Sequence, residues 1–119
     1  MEIPIFIQIS QFVEDEIMKG ALKAHDKVPS TNEFAKTMSV NPATAGKGLN
    51  ALVDKGVLYK KRGLGMFVTD AAYDLVQADR RQIFKEKTVP QFIRDSQHLN
   101  LSLEELLAII KEAYHAGNH

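Results

Sequence analysis

Pro29-Ser30-Thr31-Asn32-Glu33-Phe34-Ala35-Lys36-Thr37-Met38-Ser39-Val40-Asn41-Pro42-Ala43-Thr44 contains two helix starts in close succession. Ser30 and Glu33 have capping-box spacing, in which hydroxyl and carboxylate each satisfy the other residue's free backbone N–H. A short helix over about Thr31 to Thr37 follows. Ser39-Val40 interrupts it, and Pro42 suits the first position of a new helix with Asn41 as its N-cap. Behind this second start, Ala45, Leu49, Leu52 and Val53 make one apolar face. Asn41, Thr44, Lys47, Asn50 and Asp54 or Lys55 lie elsewhere on the helix, and Gly56 ends it. The pattern is a short helix, a tight turn and a helix that begins with small polar residues.

Downstream, Val57-Leu58-Tyr59-Lys60 and Met66-Phe67-Val68-Thr69 are rich in strand-favouring residues and flank Lys61-Arg62-Gly63-Leu64-Gly65. This predicts a β-hairpin with a basic, glycine-flexible tip. Upstream, Ile5, Ile9, Phe12, Val13 and Ile17 recur at helical steps, predicting a helix from about Ile5 to Lys19. Residues 21–29 then read as a connector in which Leu22 and Val28 plug the core. After Asp70, Ala72, Leu75, Val76 and Ile83 form one helical stripe and Val89, Phe92 and Ile93 another, with Pro90 expected to kink or divide the helix. Ser102-Leu103-Glu104-Glu105 is a second capping box, opening a helix striped by Leu103, Leu106, Leu107, Ile110, Ala113 and Tyr114. The expected fold is mainly α with a small β-hairpin: a winged helix-turn-helix over residues 1–70 and a short α-helical dimerisation tail over residues 71–119.

A chain of 119 residues, 45% hydrophobic and 25% charged, supplies one ordinary globular core and excludes a multi-domain enzyme. The absence of cysteine excludes disulfide scaffolds, thiolate metal sites and cysteine nucleophiles. Met1-Glu2-Ile3-Pro4 lacks a basic n-region, and no stretch approaches the length of a spanning segment. The expectation is a cytoplasmic protein with no membrane association. Net charge is formally zero, but between Val28 and Thr69 the basic Lys36, Lys47, Lys55, Lys60, Lys61 and Arg62 face only Glu33 and Asp54. Positive charge is therefore concentrated where a polyanion can meet it.

The second helix of such a unit fits a major groove about 12 Å wide, where Asn and Thr pair with base edges while lysines neutralise phosphates. The hairpin supplies a further contact: Gly63 and Gly65 permit close backbone approach, and Lys60, Lys61 and Arg62 add charge. Other chemistry finds little support. Gly63-Leu64-Gly65 lacks the following lysine and helix of a phosphate loop. Glu14, Asp15 and Glu16 are successive on a helix and read as a solvated face. His115 and His119 have metal-ligand spacing, but Gly117 lies between them and the pair is read as a chain end. Neither a cofactor nor a catalytic constellation is expected.

Pro4-Ile5-Phe6-Ile7-Gln8-Ile9, Pro29-Ser30-Thr31-Asn32-Glu33-Phe34-Ala35, Val40-Asn41-Pro42-Ala43-Thr44, Leu52-Val53-Asp54-Lys55-Gly56-Val57-Leu58 and Gly63-Leu64-Gly65-Met66-Phe67-Val68 together resemble the N-terminal domain of GntR-type bacterial transcription regulators. The brief tail resembles their YtrA-like branch. The resemblance implies a homodimeric repressor of a transporter operon, bound to a palindromic double-stranded DNA operator. On that implication Ser30 and Asn32 meet the DNA backbone, Asn41, Pro42 and Thr44 lie at the groove, and Gly65 sits at the wing tip; Thr31, Lys47, Lys61, Arg62 and Gly63 are further expected DNA contacts. Asn32, Pro42 and Gly46 stand where the family commonly has arginine, which implies weaker half-site affinity and more reliance on Lys47 and the wing.

The tail stripes imply a dimer interface at Leu75, Ile83, Phe92, Leu103, Leu106, Leu107, Ile110 and Tyr114. Tyr73, Phe84, Phe92 and Tyr114 are read either as plain core or as the lining for a small apolar effector between protomers. The alternative to a DNA-binding regulator is a winged-helix module that binds protein, and the missing arginines are its main support.

Overall fold

The structure, a computed structural model, describes residues 3–117. It is mostly helical with one antiparallel hairpin: α1 (Ile5–Met18), α2 (Thr31–Thr37), α3 (Pro42–Asp54), β1 (Leu58–Lys61), β2 (Gly65–Val68), α4 (Ala72–Ile83), a π-helical turn (Phe84–Thr88), α5 (Val89–His98) and α6 (Leu103–Ala116). The chain divides into two compact units at Asp79/Arg80. The sequence reading put the boundary at residue 70; Ala72 and Val76 of α4 are buried with the first unit's core and carry its limit further along.

In the first unit Ile9, Val13 and Ile17 of α1 pack with Phe34, Ala45, Leu49, Leu52, Val57, Leu58 and Val68 in one core. The α1–α3 crossing is close. A Cβ placed on Gly48 would lie 2.5 Å from the Phe6 carbonyl oxygen, so only glycine fits there, and the buried Ser10 hydroxyl donates to the Gly48 carbonyl at 2.6 Å. Glu14, expected on a solvated face, is 6% exposed, because the turn of α1 that carries it packs inward with Val13 and Ile17.

Three helices of this unit end alike. At the ends of α1, α2 and α3, a residue with positive φ follows the C-cap and the next N–H reaches back to the carbonyl five residues before it: Ala21 to Glu16, Val40 to Ala35 and Val57 to Leu52. This is the Schellman arrangement, which satisfies carbonyls the helix leaves open. Gly20 and Gly56 adopt the left-handed conformation in two of them. Ser39, at φ 54°, does so in the turn between α2 and α3.

The hairpin pairs Leu58 with Val68 and Lys61 with Gly65. Both strands sit about one residue away from their sequence-expected limits. The connector is more ordered than expected, because residues 25–28 run antiparallel along the free edge of β2. His25 N–H donates to Val68 O, Val68 N–H to Asp26 O and Val28 N–H to Met66 O, with Lys27 opposite Phe67. Val28 does plug the core, as the sequence implied.

Pro90 was expected to kink or divide the helix, and a π-helical turn does divide α4 from α5 just ahead of it, while the chain stays helical across the proline. Proline has no N–H to donate and its ring crowds the carbonyl four residues back, here Glu86. The π-helical turn relieves this by widening the spiral: Val89 N–H donates to Phe84 O, five residues earlier. α5 ends with Asn100 at φ 57° and Leu101 N–H on Ser96 O, the same Schellman closure with an asparagine. The second capping box then opens α6, with Ser102 Oγ accepting from Glu105 N–H at 3.1 Å and Ser102 N–H donating to Glu105 Oε1 at 3.0 Å.

Candidate nucleic-acid interface

Both helix starts have the predicted geometry. Ser30 Oγ accepts from Glu33 N–H and Ser30 N–H donates to Glu33 Oε1, each at 3.0 Å. The backbone N–H of Ser30 holds the Glu33 carboxyl below its ordinary 4.5, aided by the Ser30 hydroxyl and the charge of Lys27. At α3, Asn41 Oδ1 accepts from Ala43 N–H at 2.7 Å and Pro42 occupies the first turn. Capping occupies the Oδ1 atom and points the asparagine's amide nitrogen away from that bond.

The fold brings several of the expected residues together. Ser30, Thr31 and Asn32 share with Gly65 and Met66 a notch of about 240 Å³ that is floored by Leu49. The start of α2 and the base of the wing therefore face one shared recess. Thr31 also meets the second turn of α3, its Cγ2 standing 3.7 Å from where a Gly46 Cβ would be. Asn32, Asn41, Pro42, Lys47, Lys61, Arg62, Gly63 and Gly65 are exposed, while Thr31 and Thr44 are half-buried.

Two of the expected cations are oriented by aromatic rings. Lys47 Nζ lies 4.0 Å from the centroid of Phe6 on α1, and Lys61 Nζ lies 5.2 Å from that of Phe67. Arg62 stands at the hairpin tip beside Gly63, whose φ of 76° closes a turn in which Leu64 N–H donates to Lys61 O. The tip is thus not gathered into the notch.

Lys27 was missed by the sequence reading. Its Cε lies 3.0 Å from the position of a Gly65 Cβ, so the glycine's missing side chain is the bed on which the Lys27 stem rests. Gly65 itself is at φ 118°, a conformation that L side chains rarely adopt. The signal available was position: Lys27 stands two residues before the proline of the Pro-Ser pair, just outside the stretch whose charge was counted. A second missed feature is a clasp at the wing root. A carboxylate only accepts, so His25 Nε2 donates to Asp70 Oδ1 at 2.9 Å, and Nδ1 is hydrogen-bonded with the Tyr59 hydroxyl at 2.9 Å. Tyr59 in turn stacks on Phe67 at 5.7 Å.

Of the tail residues expected at a dimer interface, Leu75 lies in the first unit near Gly56. Leu106 is 5% exposed and so is buried within one chain rather than on an open face. Phe92 and Ile110 line an apolar groove of about 400 Å³ with Phe84, Thr88, Val89 and Ile93. Ile83, Leu103, Leu107 and Tyr114 are exposed on their helices. His115 is described, whereas His119 of the histidine pair lies outside the described residues. No helix among the described residues is long and apolar enough to cross a membrane.

Helix-turn-helix, β-hairpin and the recess between them define a winged helix-turn-helix regulator. Residues 7–68 match the family of bacterial regulatory proteins known as the gntR family. The chain is 32% identical over 109 residues to the HTH-type transcriptional repressor YtrA of Bacillus subtilis (strain 168), covering 92% of this chain and 83% of that protein. A GntR family transcriptional regulator from Listeria monocytogenes superposes with a TM-score of 0.75 at 26% identity, covering 93% of this chain and 96% of that one. The DNA-binding domain of AraR, in complex with an operator, superposes with a TM-score of 0.56 at 29% identity, over 58% of this chain and 84% of that one. The chain belongs to the GntR family. Its relatives and structural neighbours are transcriptional regulators rather than enzymes.

Proposed function

We propose that this protein is a cytoplasmic transcriptional repressor that binds a two-fold DNA operator as a homodimer, with α3 in the major groove and the hairpin as a wing. The observation that carries this reading is the shared recess, in which the capped start of α2 meets the base of the wing beside exposed cations. The likeness to an operator-bound AraR domain supports it. Ser30, Thr31 and Asn32 are assigned to the DNA backbone, Asn41, Pro42, Thr44 and Lys47 to the groove entrance, and Lys27, Lys61, Arg62, Gly63 and Gly65 to the wing contact. The regulated genes on this reading are those of a transporter operon, following the short-tail resemblance.

The dimer contact is assigned to the open face of the tail, where Phe92, Leu107, Ile110 and Tyr114 remain uncovered in one chain. A second copy, rather than a small apolar effector, is proposed to cover the groove beside Ile110, because a two-fold operator calls for two chains.

Fluorescence anisotropy on a bound duplex tests the DNA assignment. Lys47→Ala with Arg62→Ala should weaken binding and flatten the log K against log[salt] slope by about 0.9 per lost phosphate contact. An unchanged slope would contradict it. The second reading, a protein-binding winged helix, is favoured by one observation: Asn32, Pro42 and Gly46 place no charge at positions where the family commonly has arginine. A variant pair that keeps its partner while never having bound DNA would support that reading.

A further inference from the structure

The two glycines of α3 have different explanations. Gly48 is dictated by the α1 backbone, as described. Gly46 has no such constraint: a Cβ there would make ordinary contact with Thr31 at 3.7 Å, and its φ lies outside the left-handed region. Glycine weakens a helix relative to alanine, so the fold alone gives no reason for it. Residues 43, 46, 47 and 50 follow three- and four-residue steps and share the face of α3 opposite the buried Ala45, Leu49 and Leu52. Ala43 and Asn50 are exposed on that face, as is Lys47, whose amine lies 4.0 Å from the Phe6 ring centroid.

These groups differ in what they recognise. A guanine edge offers two acceptors in the major groove and calls for two donors, which arginine supplies best. An asparagine amide offers one donor and one acceptor, matching adenine N7 and N6, and a methyl group packs on the thymine C5 methyl. The face holds an amide, a methyl and the Lys47 amine over its ring, beside the half-buried bare backbone of Gly46, with no arginine on α2 or α3. We propose that the operator steps facing α3 are A·T pairs, read by the Asn50 amide and by the Ala43 and Thr44 methyl groups at the close approach that Gly46 permits. The assignment rests on the DNA-binding reading above and adds the class of base pair to it.

Selection of the full chain on a random-sequence duplex pool, followed by contact interference, tests it. A·T pairs at the steps protected by α3 are the expected result. Conserved G·C pairs at those steps would overturn the proposal while leaving DNA binding intact. No enrichment at all would overturn both, and the two failures are told apart by whether a site emerges. Within a recovered site, replacing thymine by deoxyuridine should weaken binding severalfold, and Asn50→Ala should lose roughly tenfold discrimination at one adenine. Gly46→Ala has room to fold, so its thermal midpoint should hold or rise while affinity falls tenfold or more. Unchanged affinity in that variant would remove the close approach.

Discussion

Ser39 and Gly48 occupy positions whose backbone demands are opposite in kind. Ser39 holds a left-handed φ of 54° that costs an L residue roughly 1–2 kcal/mol, partly offset when glycine's freer unfolded chain is counted. Ser39→Gly should therefore stabilise by about 0.5–1 kcal/mol, read as a rise of about 2–5 °C in thermal midpoint. A fall would show that the serine makes a contribution of its own. Gly48→Ala should destabilise by about 1–3 kcal/mol, since the new methyl would press on the Phe6 carbonyl and only backbone movement can relieve it. Lys27 belongs to the same scale. With its stem laid on Gly65 beside the notch, Lys27→Ala should reduce the salt slope of DNA binding by about 0.9 and leave the preferred sequence unchanged. A changed sequence preference would show that Lys27 reads bases.

Among the elements, the two capping boxes have a measurable pH signature. Glu33 and Glu105 are both held below the ordinary 4.5, chiefly by the backbone N–H of Ser30 and Ser102 respectively. A carboxyl with a lowered folded pKa contributes stability that is fully present above its unfolded value and is lost as pH falls through the folded one. Glu33→Gln with Glu105→Gln should therefore lose less thermal stability than the parent between pH 5 and roughly pH 3, and parallel losses would contradict the assignment. Both boxes were legible in the sequence because four adjacent residues fix their chemistry. So were α2 and the start of α3, where Asn41-Pro42 leaves few alternatives. Less local features were not legible. The pairing of residues 25–28 with β2 depends on a partner some forty residues away, and the π-helical turn is a response of the whole helix to Pro90. The recess between α2 and the wing was visible only as two separate motifs, and Lys27 was hidden because its function comes from Gly65, distant in sequence.

At the scale of the molecule, the tail groups into positions with different consequences. Leu107→Asp and Ile110→Asp alter the open face and should lower the solution mass at micromolar concentration from two chains toward one, with helicity retained. Leu106→Asp strikes the buried side of α6 and should instead unfold the tail, seen as lost helical signal. An unchanged mass in the first two variants would remove the proposed interface. The hydrophobic stripe alone could not separate these cases, since Leu106 and Leu107 are neighbours in sequence and only the folded chain shows that Leu106 is buried and Leu107 exposed. The neutral net charge was equally uninformative, because the basic excess is confined to residues 28–69 while the acidic residues are spread along the rest of the chain. Together these features call for sequence-specific, charge-assisted binding of two chains to one duplex. Its most direct test is the affinity of the purified protein for its selected duplex and for a scrambled one at 50 and 200 mM salt, with stoichiometry determined in the same titration. Two chains per duplex, a preference of about a thousandfold or more, and a steep fall in affinity with salt are the expected result. Equal, weak binding to both duplexes would contradict it.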